Sequence, residues 1–308
     1  MTETVRRSLA ADPVIQIGHT AYPVLAPDST VGAGLQLMVT AGVRSLRNAA
    51  NRGEPERPET LHRFRVGVRR LRSLLSAFRK VLPDDERRQL SKRLGAVAKR
   101  YSRAREWDVF LATTLRPMTG ALPDEPALIE LEACIKEARR RALPETIDFR
   151  AEAATVASAI DSALWLHQPG PASRDEWSSD LKGFVSGLLA KHHRRLRKQL
   201  KTVDLEDQAS FHALRIQAKK IRYPIEMFEN LFEEKATTSY LERLIAVQDA
   251  LGHLNDALVA RGLLAELPLS SRAQGLANGW LAREIVVRRN RFPAAAKKLR
   301  KATPFWED

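Results

Sequence analysis

His62, Arg65, Arg69 and Arg72 recur 150 positions later as His212, Arg215, Lys219 and Arg222. A histidine followed by cations at i+3, i+7 and i+10 is suited to two kinds of chemistry. The cations can hold phosphate oxygens through charge-assisted hydrogen bonds. The imidazole can act as a nucleophile or as a metal ligand. On a helix the four positions fall within an arc of roughly 80° and rise about 15 Å along the axis. That is a cationic stripe. The first lies in LHRFRVGVRRLRSLLSAFRKVL, residues 61–82, which has seven basic residues and no acid. The second lies in FHALRIQAKKIRYPIEMFENLF, residues 211–232.

A solvated charged face is the ordinary meaning of such a run. Such faces mix signs, because like charges at i,i+4 repel by a few tenths of a kcal/mol. They also have no reason to repeat one histidine and three cations in the same register. Leu71, Leu75, Phe78 and Leu82 occupy another arc, and Ile221, Ile225, Phe228 and Phe232 repeat it. Each stripe therefore runs beside a core-facing stripe, where it can line a groove between helices. The preceding helices add Arg44 and Arg47, matched by Arg194 and Arg197. KHHRRLRKQLK, residues 191–201, carries six basic residues without an acid, and Arg195 and Lys198 read as solvent-facing.

Composition agrees with an anionic partner. The chain has 308 residues, a net charge of +14 and a sequence pI near 10.2. Such a balance speaks about partners, not fold. Aromatic residues make up 6%, and the stripes hold none, since Tyr223 merely follows Arg222. Single-stranded nucleic acid prefers aromatic platforms, so a base-free polyanion fits better. Each histidine also reads as standing near a helix start, where free N–H groups favour phosphate. No GxxxxGK[ST] loop is present, and VGAG at 31–34 lacks a third dinucleotide-binding glycine. Metal ligation by His62 and His212 is opposed by the surrounding cations. His19, His167, His192, His193 and His253 read as structural. Asp108, Asp249 and Asp256 read as partners for arginines or for interhelix contacts. Cys134 is the sole cysteine, which fits a reducing compartment. No apolar run reaches the ~20 residues of a membrane span, and Asp12 and Pro13 interrupt any signal peptide. The expectation is a cytoplasmic protein.

The supporting elements are helices. Residues 1–27 read as an irregular tail with at most a short extended segment. Asp28 and Ser29 are candidate caps for a helix over 30–52, followed by helices at 59–82 and 84–115. RPMTGALPDEP is a loop, and helices follow at 126–142 and 145–167. HQPGPAS, residues 167–173, is the best internal boundary. Helices then fall at 174–203, 208–233, 236–265 and 271–289, with a short one at 294–301. The fold class is all-α: two four-helix bundles, residues 28–168 and 173–303, related by a pseudo-twofold repeat. RLGAV from Arg93 against RLIAV from Arg243 keeps the same register.

The paired helices LHxxRVxxRRLRS and HxLRIxxKKIRY resemble those of the CHAD domain, the conserved histidine α-helical domain. VQDALGHLNDALV resembles its second-half motif. YSRAREWDV resembles its first-half LGxxRDxDV, with Ser102 for glycine and Glu106 for aspartate. The resemblance covers about residues 28–303. It implies two four-helix bundles, a basic central cavity and binding of inorganic polyphosphate, with some members at polyphosphate granules. Members with an upstream CYTH domain exist, and this chain leaves no room for one. Carried over by resemblance are His62, Arg65, Arg69, Arg72, His212, Arg215, Lys219 and Arg222. Arg70, Lys220 and Arg105 also match family positions. The expected protein is non-catalytic and needs no cofactor or metal. Its partner is inorganic polyphosphate, with other phosphate-rich polyanions bound weakly. The alternatives are a metal-dependent phosphohydrolase or phosphohistidine acceptor using the paired histidines, and a nucleic-acid-binding helical module.

Overall fold

The computed structural model describes residues 14–17, 20–52, 54, 56–170 and 173–307. A short antiparallel hairpin, β1 (Val14–Ile17) and β2 (Thr20–Pro23), precedes the helices. It corrects the irregular tail: β2 leads into residues held on the bundle, where Tyr22 and Leu25 are buried and Asn230 Nδ2 donates to the Leu25 carbonyl at 2.7 Å. His19 lies outside the described residues.

The first half comprises α1 (Val31–Asn51), α2 (Pro58–Ala77), α3 (Asp84–Arg100), α4 (Ser102–Phe110), α5 (Arg116–Ala121), α6 (Pro126–Ala142) and α7 (Phe149–Asp161). The second comprises α8 (Arg174–Ser178), α9 (Leu181–Thr202), α10 (Gln208–Phe228), α11 (Glu234–Leu264) and α12 (Ser271–Arg300). The helical class expected from sequence is what the chain adopts. Among the described residues no helix is long and apolar enough to cross a membrane.

Several boundaries move, each for a packing reason. The helix expected over 84–115 breaks at Tyr101, whose φ and ψ are −107° and 9°. Its ring is pinned between Phe64 and Phe149 at centroid distances of 6.2 and 5.1 Å, and its hydroxyl donates to Glu152 Oε1 at 2.6 Å. Part of the expected loop at 116–126 is α5, which continues α4 through a π-helical turn at Leu111–Leu115. The gap expected before residue 294 is absent, because α12 runs through Pro293 while packed along α11. The helix expected over 174–203 is split into α8 and α9 at Ser179 and Asp180.

That split serves the joint between halves. Thr30 caps α1 by accepting from Ala33 N–H at 3.3 Å, and Asp180 caps α9 by accepting from Gly183 N–H. The cap of α1 is thus Thr30, not Asp28 or Ser29. Thr30 and Asp180 form an antiparallel bridge: Val31 N–H donates to Ser179 and Leu181 N–H to Ser29, both at 3.0 Å. Below the bridge, Phe78 meets Phe228 edge-on at 5.9 Å and stacks on Phe184 at 5.3 Å. Leu71, Leu75, Phe78, Leu82, Ile221, Ile225 and Phe228 are all buried. Each such side chain contributes roughly 1.5–3 kcal/mol by leaving water. Phe232, expected with them, is half-buried.

Candidate functional site

A cleft of about 940 Å³ opens between α1 and α2 on one side and α10 and α11 on the other. Its cations come from three helices. α1 supplies Arg44 and, just past its end, Arg52 at the C-cap; α2 supplies Arg63, Arg69 and Arg70 with His62, and α10 supplies Arg215, Lys219 and Arg222. Two acids, Glu226 and Asp249, also line it. α1 and α2 approach closely because Gly42 and Gly67 have no side chain. A Cβ would lie 2.5 Å from Leu71 Cδ2 at the first and 3.1 Å from Leu46 Cδ1 at the second.

On α10 the three cations of the stripe face the cleft. Arg215 donates to Asn255 Oδ1 at 2.5 Å, and Arg222 is held by the buried Glu226 and by Gln248 Oε1 at 2.8 Å. Lys219 has no hydrogen bond or ion pair among the described residues. Burial, then the charges of Arg215 and Arg69, push it down to about 8. His212 is exposed and does not line the cleft. Both histidines stand one turn inside their helices, which begin at Pro58 and Gln208, so neither sits on the free N–H groups.

On α2 the cleft sees a different arc. Only His62 and Arg69 of its stripe line the cleft, joined by Arg63 and Arg70, so the exposed arc is rotated by roughly 100° from the stripe. Arg65 turns toward the α3–α4 junction, donating to the Ala98 carbonyl and to Ser102 Oγ, the latter at 3.0 Å. Ser102 thus supplies an acceptor that the family's glycine would not. Arg72 lies over Gly95 of α3 and is exposed. Arg47, Arg194 and Arg197 are exposed and do not line the cleft, and Lys220 is exposed beside it on α10. Arg105 is half-buried with Asp108 and Asp256 nearby.

Arg69 is the common neighbour. Burial first, then the charges of Arg69 and Arg105, hold Arg65 below the usual arginine range. Arg215 is lowered by burial first, with Arg69 adding to it. Arg105 is lowered by burial, against Asp108 and Asp256, with Arg69 also lowering it. Among the described residues, Arg69 Nε and Arg70 Nε and Nη1 are buried without a hydrogen-bond partner. Buried charged donors without acceptors are costly. A group of them around one side chain is what a bound anion would satisfy.

The sequence reading misses Arg52, Arg63 and Tyr223. Tyr223 lines the cleft, with the Arg69 guanidinium 5.8 Å from its ring centroid, so the site is not free of aromatics. Tyr22 closes beside Arg70, whose guanidinium lies 5.3 Å from its ring. Of the other histidines, His192 and His193 are structural in placement, whereas His167 and His253 are exposed. His192 Nδ1 faces Gln217 Nε2 at 3.1 Å and His193 Nδ1 faces the Tyr240 hydroxyl at 2.8 Å. Burial pushes both imidazoles down to about 4, so they are neutral. His193 Nε2 is buried without a partner. The His167 carbonyl accepts from Gln36, and His253 is exposed. Asp108 pairs with Arg139, not with a cleft cation.

Fold and site together define a helical protein built around a cationic interhelical cleft. The profile of the CHAD domain matches residues 39–265, and the chain belongs to that family. The chain is similar to the crystal structure of the CHAD domain from the plant Ricinus communis, at 28% identity and a TM-score of 0.68, over 91% of this chain and 95% of that one. It shares its fold with PptA from Streptomyces chartreusis, at 17% identity and a TM-score of 0.63, over 87% of this chain and all (100%) of that one. No curated protein matches it.

Proposed function

We propose that the chain binds inorganic polyphosphate, without turning it over, in the cleft between α1–α2 and α10–α11. The observation that carries the reading is the excess of unsatisfied cations. Among the described residues, Arg69 Nε and Arg70 Nε and Nη1 have no hydrogen-bond partner, and Lys219 has neither a hydrogen bond nor an ion pair. A polymer of phosphates supplies many acceptors in a row and needs no base platform. Membership of a family associated with polyphosphate supports the same choice. A cytoplasmic, granule-associated location would follow from that partner.

Calorimetry with polyphosphate of defined lengths tests the binding. Replacing Arg69 and Lys219 together with Glu should abolish it while the far-ultraviolet circular dichroism stays helical. Retained binding would move the site elsewhere. Tyr223 beside Arg69 favours one second reading, single-stranded nucleic acid, because an aromatic face can stack a base. Competition at fixed salt separates the two: polyphosphate should displace an oligonucleotide, and Tyr223→Leu should leave polyphosphate affinity within about twofold.

A further inference from the structure

The cleft holds a nucleophile that anion binding does not require. Lys219 stands on α10 between Arg215, one turn earlier on the same helix, and Arg69 of α2. It is half-buried, lines an open cleft, and among the described residues has no acceptor to hold its ammonium. The charged groups acting on it are Arg215, Arg69 and, in the opposite sense, Asp256 of α11. Two adjacent cations and partial burial favour the free amine, as in other amines activated by desolvation and a neighbouring positive charge. The same two cations are placed to receive a small phosphate-bearing electrophile.

We propose that Lys219 is a covalent modification site for small acyl phosphates. Arg69 and Arg215 take the phosphate group, which brings the acyl carbon to the Lys219 amine. The Nζ lone pair attacks that carbon and a C–N bond forms. The bond from the acyl carbon to the phosphate oxygen breaks, and inorganic phosphate leaves with the electron pair. The nitrogen then loses a proton to water. No oxidant, reductant or further reactant enters. The product amide is neutral, so modification removes one of the unpaired cations and lowers polyphosphate affinity. Burial, Arg215 and Arg69 hold Lys219 at about 8, so near pH 7 the ammonium predominates and roughly a tenth is the free amine that reacts.

Lys220 is the internal control, since it adjoins Lys219 on α10 but is exposed and outside the cleft. The full chain is treated with acetyl phosphate near neutral pH, and acetylation is followed by peptide mass spectrometry. Lys219 should react at least about tenfold faster than Lys220. In urea the two rates should converge, and the preference should shrink when a neutral ester, p-nitrophenyl acetate, replaces acetyl phosphate. Equal rates in the native chain overturn the assignment. So does a preference that survives urea, or one that is as large with the neutral ester. The proposal rests on the cleft being a phosphate site, and its failure is separable from failure of the polyphosphate reading. Tight polyphosphate binding with unselective acetylation overturns only the lysine assignment. Selective acetylation that polyphosphate neither blocks nor feels overturns only the polyphosphate reading.

Discussion

Lys219 sets the pH behaviour of the cleft. Its folded value of about 8 lies below that of a free lysine, near 10.4. Below pH 8 the amine is charged in folded and unfolded chains alike, and the fold carries the full cost of burying it. As pH climbs from about 8 to about 10.4 the unfolded chain holds more protons, so this group's contribution to stability improves. Binding runs the opposite way. A polyanion favours the ammonium, so polyphosphate affinity should fall as pH rises from 7 to 9, with proton uptake on binding. Lys219→Arg stays charged and should lose most of that slope in calorimetry; an unchanged slope would assign the proton to another group. Lys219→Gln should weaken binding about tenfold at pH 7, the loss of one charge-assisted contact partly screened by solvent. His62 and His212 hold equivalent places in the repeat. The structure separates them, since only His62 lines the cleft. His62→Ala should weaken binding measurably, and His212→Ala should stay within about twofold of wild type.

Helix rotation decides which residues meet at the level of the elements. α2 carries Leu71, Leu75 and Phe78 inward, as its apolar spacing predicts. Its close contact with α1 through Gly67 then fixes which polar arc opens on the cleft, and that arc holds Arg63 and Arg70 in place of Arg65 and Arg72. Arg47 lies roughly 60° round α1 from Arg44 and away from Ser45, Asn48 and Arg52, which explains its exclusion. The start of α1 is equally constrained. A Cβ on Gly32 would lie 1.8 Å from Trp177 Nε1 of α8. Gly32→Ala should destabilise the chain by about 1–3 kcal/mol through overpacking. Thermal unfolding would show it as a drop of several degrees with helicity preserved at low temperature. An unchanged midpoint would mean that Trp177 has room to move.

At the scale of the whole molecule the excess charge becomes a salt dependence. Eight arginine and lysine side chains line the cleft. Polyphosphate affinity should fall steeply with salt, because bound cations release counterions. Arg52→Gln with Arg63→Gln should lower the slope of log affinity against log salt by about one for each cation removed. An unaltered slope would place those two arginines outside the contact. The repeat has its own check: residues 28–168 should superpose on 173–303 with His62 over His212. The Thr30–Asp180 bridge joins two caps 150 positions apart. The cleft itself is unequal, since α1 lines it and α9 does not. Helix content, the apolar stripes, the basic stretches and the family motifs are legible in the chain itself. They depend on residue type and on a period of 3.6, which are local. The rotation of α2, the break at Tyr101, the entry of Arg52 and Tyr223, and the exclusion of His212 are not local. They follow from which side chains interlock between helices distant in sequence, and only the packed structure fixes that.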